Sequence, residues 1–155
     1  GLDLEEYFLP QINSLNKRKI VKDFYPADIS SDYKYWVNLI IKECKKESLA
    51  CIFLDQPTAY KKNISKELKK RLWMTPPNQD YTLSLENLIY VSSMYNKWLK
   101  ERISTQNLNF CPLADKIEPN TSHLFDDCHF TEAGSKKLSD ILTSYINLNF
   151  KTIFN

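Results

Sequence analysis

From Ser31 onward, apolar side chains recur at helical spacing. In "SSDYKYWVNLIIKECKKES", Trp36, Leu39, Ile40 and Cys44 fall at i, i+3, i+4 and i+8. The pattern predicts an amphipathic helix with a Ser cap and those four residues on its inward stripe. The following run, "LACIFLDQP", is continuously apolar until Asp55 and stops at Pro57. Without alternation it reads as a short strand buried on both faces. Residues 58–83 are polar and carry Pro76 and Pro77. They read as an excursion over the carboxyl end of that strand, with one short helix near Ser65 to Leu72. Helical period returns in "SLENLIYVSSMYNKWLKERI", with Leu85, Leu88, Ile89, Tyr95, Trp98 and Leu99 on one stripe. "LNFCPLAD" is a second short strand ending at Pro112 and Asp115, and Thr131 caps a last helix whose apolar face is Leu138, Ile141, Leu142, Tyr145 and Ile146. Residues 1–30, broken by Pro10 and Pro26, predict a short helix near Leu4 to Leu9 and then irregular chain.

Helices alternating with fully apolar strands predict an α/β domain, a parallel sheet with helices on both faces. Two strands are too few for this architecture, because an isolated pair is marginal in water. The strands are therefore expected to need partners from outside this chain.

Composition narrows the possibilities. At 155 residues the chain is a single domain, 1–155, and at 43% hydrophobic it can build a core. No segment approaches the roughly 18 apolar residues of a membrane span, so the expectation is a soluble protein; no signal peptide opens this chain. The 21 basic and 19 acidic residues nearly cancel and are interspersed, which describes solvated faces and not a nucleic-acid stripe. Trp36 and Trp98 sit on helical apolar stripes and read as core, whereas Trp73 in the Pro-rich excursion is a candidate groove residue; none of the three forms a stacking pattern for single-stranded nucleic acid. Of Cys44, Cys51, Cys111 and Cys128, two lie in apolar runs and read as small buried hydrophobes, with no close CxxC pair. The only glycines are Gly1 and Gly134, where average usage would give about 11. That excludes a dinucleotide fingerprint, a phosphate-binding loop and a GxSxG elbow, so any chemistry must come from side chains.

The densest chemistry is "LFDDCHFTEAG", residues 124–134, which follows the last strand and ends at a helix start. In open parallel sheets, active groups collect at the carboxyl ends of strands. Asp126 and His129 are three apart on a turn, so the carboxylate can accept from Nδ1 and leave Nε2 facing a cleft as a proton acceptor. The plainer alternative is a capped turn with a half-exposed histidine. Asp127, next door, reads as solvated or backbone-bonding. Cys128 reads as an inert thiol in preference to a nucleophile paired with His129. Cys111, His123, Cys128 and His129 match no common zinc spacing. Gln56 and Pro57 either shape a pocket or simply end the strand.

"FDDCHFTEAGSKKLSDIL" resembles the final block of the SGNH/GDSL hydrolases, in which an Asp-x-x-His pair, Thr and Gly lead into the last helix. "IFLDQPTAY", "MYNKWLKER" and "NFCPLAD" resemble that family's penultimate strand, its next helix and its last strand. The resemblance spans about residues 36 to 146. It implies a three-layer α/β/α flavodoxin-like fold, incomplete here, and hydrolysis of carboxylic esters or O-acetyl groups on small molecules or glycans. His129 would be the base and Asp126 its orienting partner, with no cofactor and no metal.

The family's Gly-Asp-Ser block with the nucleophile, and its Gly and Gly-x-Asn blocks, have no counterpart here. The resemblance thus implies that Ser comes from an N-terminal companion segment or second chain. Other readings are an inactive, hydrolase-derived interaction module and an acyltransferase using the same triad.

Overall fold

Hydroxyl side chains set three of the helix starts. Ser65 Oγ accepts from Leu68 N–H, Ser84 Oγ from Asn87 N–H and Thr131 Oγ1 from Gly134 N–H, each satisfying one of the unpaired amides of a first helical turn. The computed structural model describes residues 18–72 and 80–150. Along them run β1 (Lys19–Val21), α1 (Ser31–Lys46), β2 (Ile52–Leu54), α2 (Lys66–Lys69), β3 (Tyr81–Leu83), α3 (Leu85–Thr105), β4 (Asn109–Cys111) and α4 (Glu132–Asn149). The expected helix near Leu4 to Leu9, together with Trp73, Pro76 and Pro77, lies outside the described residues.

The chain is α/β, and both strand pairs are parallel. β2 pairs with β4 in the register Ile52↔Asn109, Phe53↔Phe110, Leu54↔Cys111. β1 pairs with β3, Lys19↔Tyr81 to Val21↔Leu83, in a separate sheet. The β1–β3 pair corrects the sequence reading, which left 19–21 as irregular chain and 81–83 inside the excursion. Three-residue strands such as KIV and YTL are too short to show a period of two.

Phe53 and Phe110, opposite each other, pack with Val37 and Ile41 of α1 and Leu99 and Ile103 of α3. A second cluster joins Ala59, Leu68, Ile117 and Leu124, with Phe130 and Ile141 against it; a third joins Tyr60, Leu83 and Leu88. Tyr145 of α4 lies beside β4, close to Cys111 and Phe110. The half-buried positions of α4 include the five predicted, Leu138, Ile141, Leu142, Tyr145 and Ile146.

Four expectations are corrected. The inward stripe of α1 is Val37, Ile41 and Cys44, while Trp36 and Ile40 are 59% and 53% exposed. "WVNLII" contains two overlapping apolar stripes one residue apart, and only contact with α3 and β2 selects between them. The helix starts one residue after Ser30, whose hydroxyl makes no capping bond; its carbonyl accepts from Lys34 N–H at 3.1 Å. β2 is not buried on both faces, since Leu54 is partly exposed. Cys51, in an apolar run and read as a small buried hydrophobe, is instead joined to Cys44 in a disulfide that ties the end of α1 to the start of β2, and Cys111 and Cys128 are free. Among the described residues, no helix is long and apolar enough to cross a membrane.

Candidate active site

The turn that carries the predicted pair is closed by its own backbone. Leu124 and Phe130 form an antiparallel bridge, Phe125 N–H donates to His129 O at 2.8 Å, and Thr131 N–H donates to His123 O at 3.1 Å. Asp126 fills the concave side. Its Oδ1 accepts from Cys128 N–H and His129 N–H, both at 3.0 Å, the local bonding that makes Asp a turn former.

The same carboxylate meets the imidazole. His129 Nδ1 lies 2.8 Å from Asp126 Oδ2 and 3.0 Å from Oδ1. The Asp126 side chain is 6% exposed and that of His129 66%. A buried carboxylate against Nδ1 stabilises the tautomer with the proton on Nδ1, leaving the Nε2 lone pair on the open side of the ring. The expected Asp126–His129 contact is therefore present. The ring faces outward, and among the described residues it lines none of three cavities of about 290, 280 and 410 Å³, so the cleft expected beside Nε2 is not formed by them.

Asp127 departs from expectation. It is fully buried, and the Tyr60 hydroxyl donates to its Oδ1 at 2.8 Å. Its backbone carbonyl accepts from Ala59 N–H at 2.8 Å. Both aspartates are buried, but Asp126 accepts from two backbone amides and meets the imidazole, whereas Asp127 meets the Tyr60 hydroxyl. Burial, aided by the neighbouring charge of Asp127, pushes the Tyr60 hydroxyl far above its ordinary range.

Cys128 lies between Asp127 and His129, and its thiol is pushed up to about 11 by burial and then by the charges of Asp126 and Asp127. It is held as the neutral thiol at pH 7, which opposes a nucleophilic role. The zinc set Cys111, His123, Cys128 and His129 is not assembled: the described metal-competent group is Asp126, Cys128 and His129, with donor atoms within 4.8 Å of one another. In that group His129 Nδ1 is engaged with the Asp126 carboxylate, whose Oδ1 also accepts from two backbone amides.

At the carboxyl end of β2, Asp55 Oδ1 accepts from Leu113 N–H and Ala114 N–H and so fixes the end of β4. Gln56 exchanges two bonds with Asn96 of α3: its N–H donates to Oδ1 at 3.1 Å, and its carbonyl accepts from Nδ2 at 3.0 Å. Gln56 thus does more than precede a strand-ending proline: it lines a cavity of about 280 Å³ with Thr58, Tyr60, Leu88, Tyr95 and Asn96. Tyr60 and Asp55 were not singled out from the sequence. The one available signal was polar residues placed directly after an apolar strand, where a parallel sheet collects its functional groups.

No family model matches the chain, and neither a curated protein nor a solved structure matches it.

Proposed function

We propose that this chain is the acid–base portion of an SGNH-type serine esterase, acting on carboxylic esters or O-acetyl groups. The observation that carries the reading is the Asp126 carboxylate, buried and 2.8 Å from His129 Nδ1, with the far side of the ring open. In the proposed reaction, Nε2 removes the proton from a serine hydroxyl as Oγ bonds to the ester carbonyl carbon. Asp126 stabilises the imidazolium, and the proton then passes to the departing alkoxide as the acyl–oxygen bond breaks. Water repeats the sequence on the acyl-enzyme and regenerates the serine.

The serine and the oxyanion donors belong, in this reading, to a segment outside the present sequence, joined to it or separate. The three-layer flavodoxin-like architecture is part of the same proposal; the parallel β2–β4 pair with helices packed on it supports it. The outward-facing ring fits a cleft whose opposite wall is supplied by that segment.

The test is affinity purification of the tagged chain from its native source, followed by labelling with a fluorophosphonate probe. The expected result is a silent 18.3 kDa chain and a labelled serine in a copurifying or longer polypeptide. In the active assembly His129→Ala should lower kcat by about two to four orders of magnitude, the usual worth of a positioned proton carrier. Unchanged turnover would overturn the assignment.

A further inference from the structure

We propose that Tyr60 is a positioning residue for His129, acting through the buried Asp127. The inference rests on the reading of Asp126 and His129 as an acid–base pair and adds a group outside the turn that sets its geometry.

Two consecutive residues of the β2–α2 connection grip one residue of the turn. Ala59 N–H holds the Asp127 carbonyl and the Tyr60 hydroxyl holds its Oδ1, each at 2.8 Å. One bond fixes where the Asp127 peptide lies, and the second fixes its rotation. Ala59 and Asp127 are fully buried and Tyr60 is 5% exposed, so the grip lies in the core and not on a yielding surface. Asp127 directly follows the residue that accepts from the imidazole and precedes the ring by two. The amides of Cys128 and His129, both donating to Asp126 Oδ1, take their direction from the peptide that Tyr60 and Ala59 hold.

Anchoring the turn by packing alone would need only an apolar pair. A buried carboxylate costs free energy unless donors satisfy it, and its bond to a hydroxyl has a preferred direction that an apolar contact lacks. The direction is transmitted to Asp126, whose two oxygens lie 2.8 and 3.0 Å from Nδ1.

The tautomer of His129 reads this out without any assay of turnover. The full chain, labelled with ¹⁵N at histidine, is compared at a pH where the rings are neutral, with His123 as internal reference. In the parent protein the proton should sit on Nδ1 of His129. Tyr60→Phe, which conserves volume, and Asp127→Ala should each lower the Nδ1–H to Nε2–H ratio by about fivefold, the equivalent of weakening one net hydrogen bond. Asp127→Asn keeps an oxygen acceptor for Tyr60 and should retain the parent ratio.

Tyr60→Phe leaving the ratio unchanged, whether or not thermal stability falls, would overturn the proposal by reducing the pair to a stability anchor. So would a parent ring carrying its proton on Nε2. Loss of the esterase reading alone, with His129→Ala fully active in the assembly, would leave the tautomer result standing, so the two failures are distinguishable.

Discussion

Reduction of the Cys44–Cys51 bridge should destabilise the chain by an amount the loop length sets. Cys44 sits in the last turn of α1 and Cys51 one residue before β2, with Cα atoms 6.2 Å apart and a sequence separation of 7. The closed loop of about eight residues corresponds, in the chain-entropy account, to about 2.5 kcal/mol at 25 °C. For a domain of this size that is a fall in Tm of roughly 5 to 10 °C. Part of the loop is fixed independently: Leu49 N–H donates to Cys44 O at 2.9 Å, and Cys51 N–H to Leu49 O at 2.9 Å. Those bonds belong to the folded state and persist on reduction, so they leave the denatured-state contribution unchanged. The assay is thermal unfolding by circular dichroism with and without dithiothreitol, on protein purified under air. A Cys44→Ala/Cys51→Ala chain serves as the control and should show the lower Tm and no response to reductant. Alkylation in denaturant without reductant should modify two thiols, Cys111 and Cys128. Four modified thiols, or a Tm indifferent to dithiothreitol, would refute the bridge and the constraint it places on β2.

Asp126→Ala strips the acceptor from two backbone amides and the imidazole, a loss of about 2 to 3 kcal/mol, whereas Asp126→Asn keeps an oxygen for the amides and should cost under about 1 kcal/mol; equal urea midpoints for the two would show that the carboxylate does not hold the turn. Gly134→Ala would place Cβ 1.9 Å from the His123 carbonyl oxygen, a backbone atom with no rotamer to yield, so α4 must shift at a cost of about 3 kcal/mol or more; denaturant unfolding that gives less than 1 kcal/mol contradicts the close approach. Cys128, with its thiol raised to about 11, should hold roughly a hundredfold less thiolate at pH 8 than an ordinary cysteine, and its alkylation rate should climb about tenfold per pH unit toward pH 11. A rate plateau near pH 9, followed by mass spectrometry of the Cys128 peptide, would show the thiol to be unperturbed.

The sequence made the helices legible because their signals are local. Thr131 followed by Gly134 marks a cap whose bond depends only on residues within one turn, and the 3.6-residue period of α3 extends over twenty positions. The Asp126–His129 contact was legible for the same reason, as both partners lie in one tight turn. What failed was decided at long range. The choice between the Trp36/Ile40 stripe and the Val37/Ile41 stripe depends on Leu99 and Ile103, some sixty residues away. The inward turn of Asp127 depends on Tyr60, separated by 67 residues, and no spacing rule announces such a pair. Disulfide connectivity likewise cannot be deduced from cysteine positions alone.

Correcting α1 changes what must be explained about the strand deficit. The expectation was two strands; among the described residues there are four, but as two separate parallel pairs, and a pair has little stability of its own in water. The helix face displaced from the core is not polar: Tyr35 and Trp36 stack edge to face at 5.1 Å, and both are about 60% exposed, with Ile40 one turn along. Apolar surface of this kind, gathered on one helix, is what interaction sites expose before their partner arrives. Under the proposed function, a companion segment would extend the short parallel sheet and supply the wall that the open side of His129 lacks, since an imidazole open to solvent does not by itself serve acid–base chemistry that depends on excluding water.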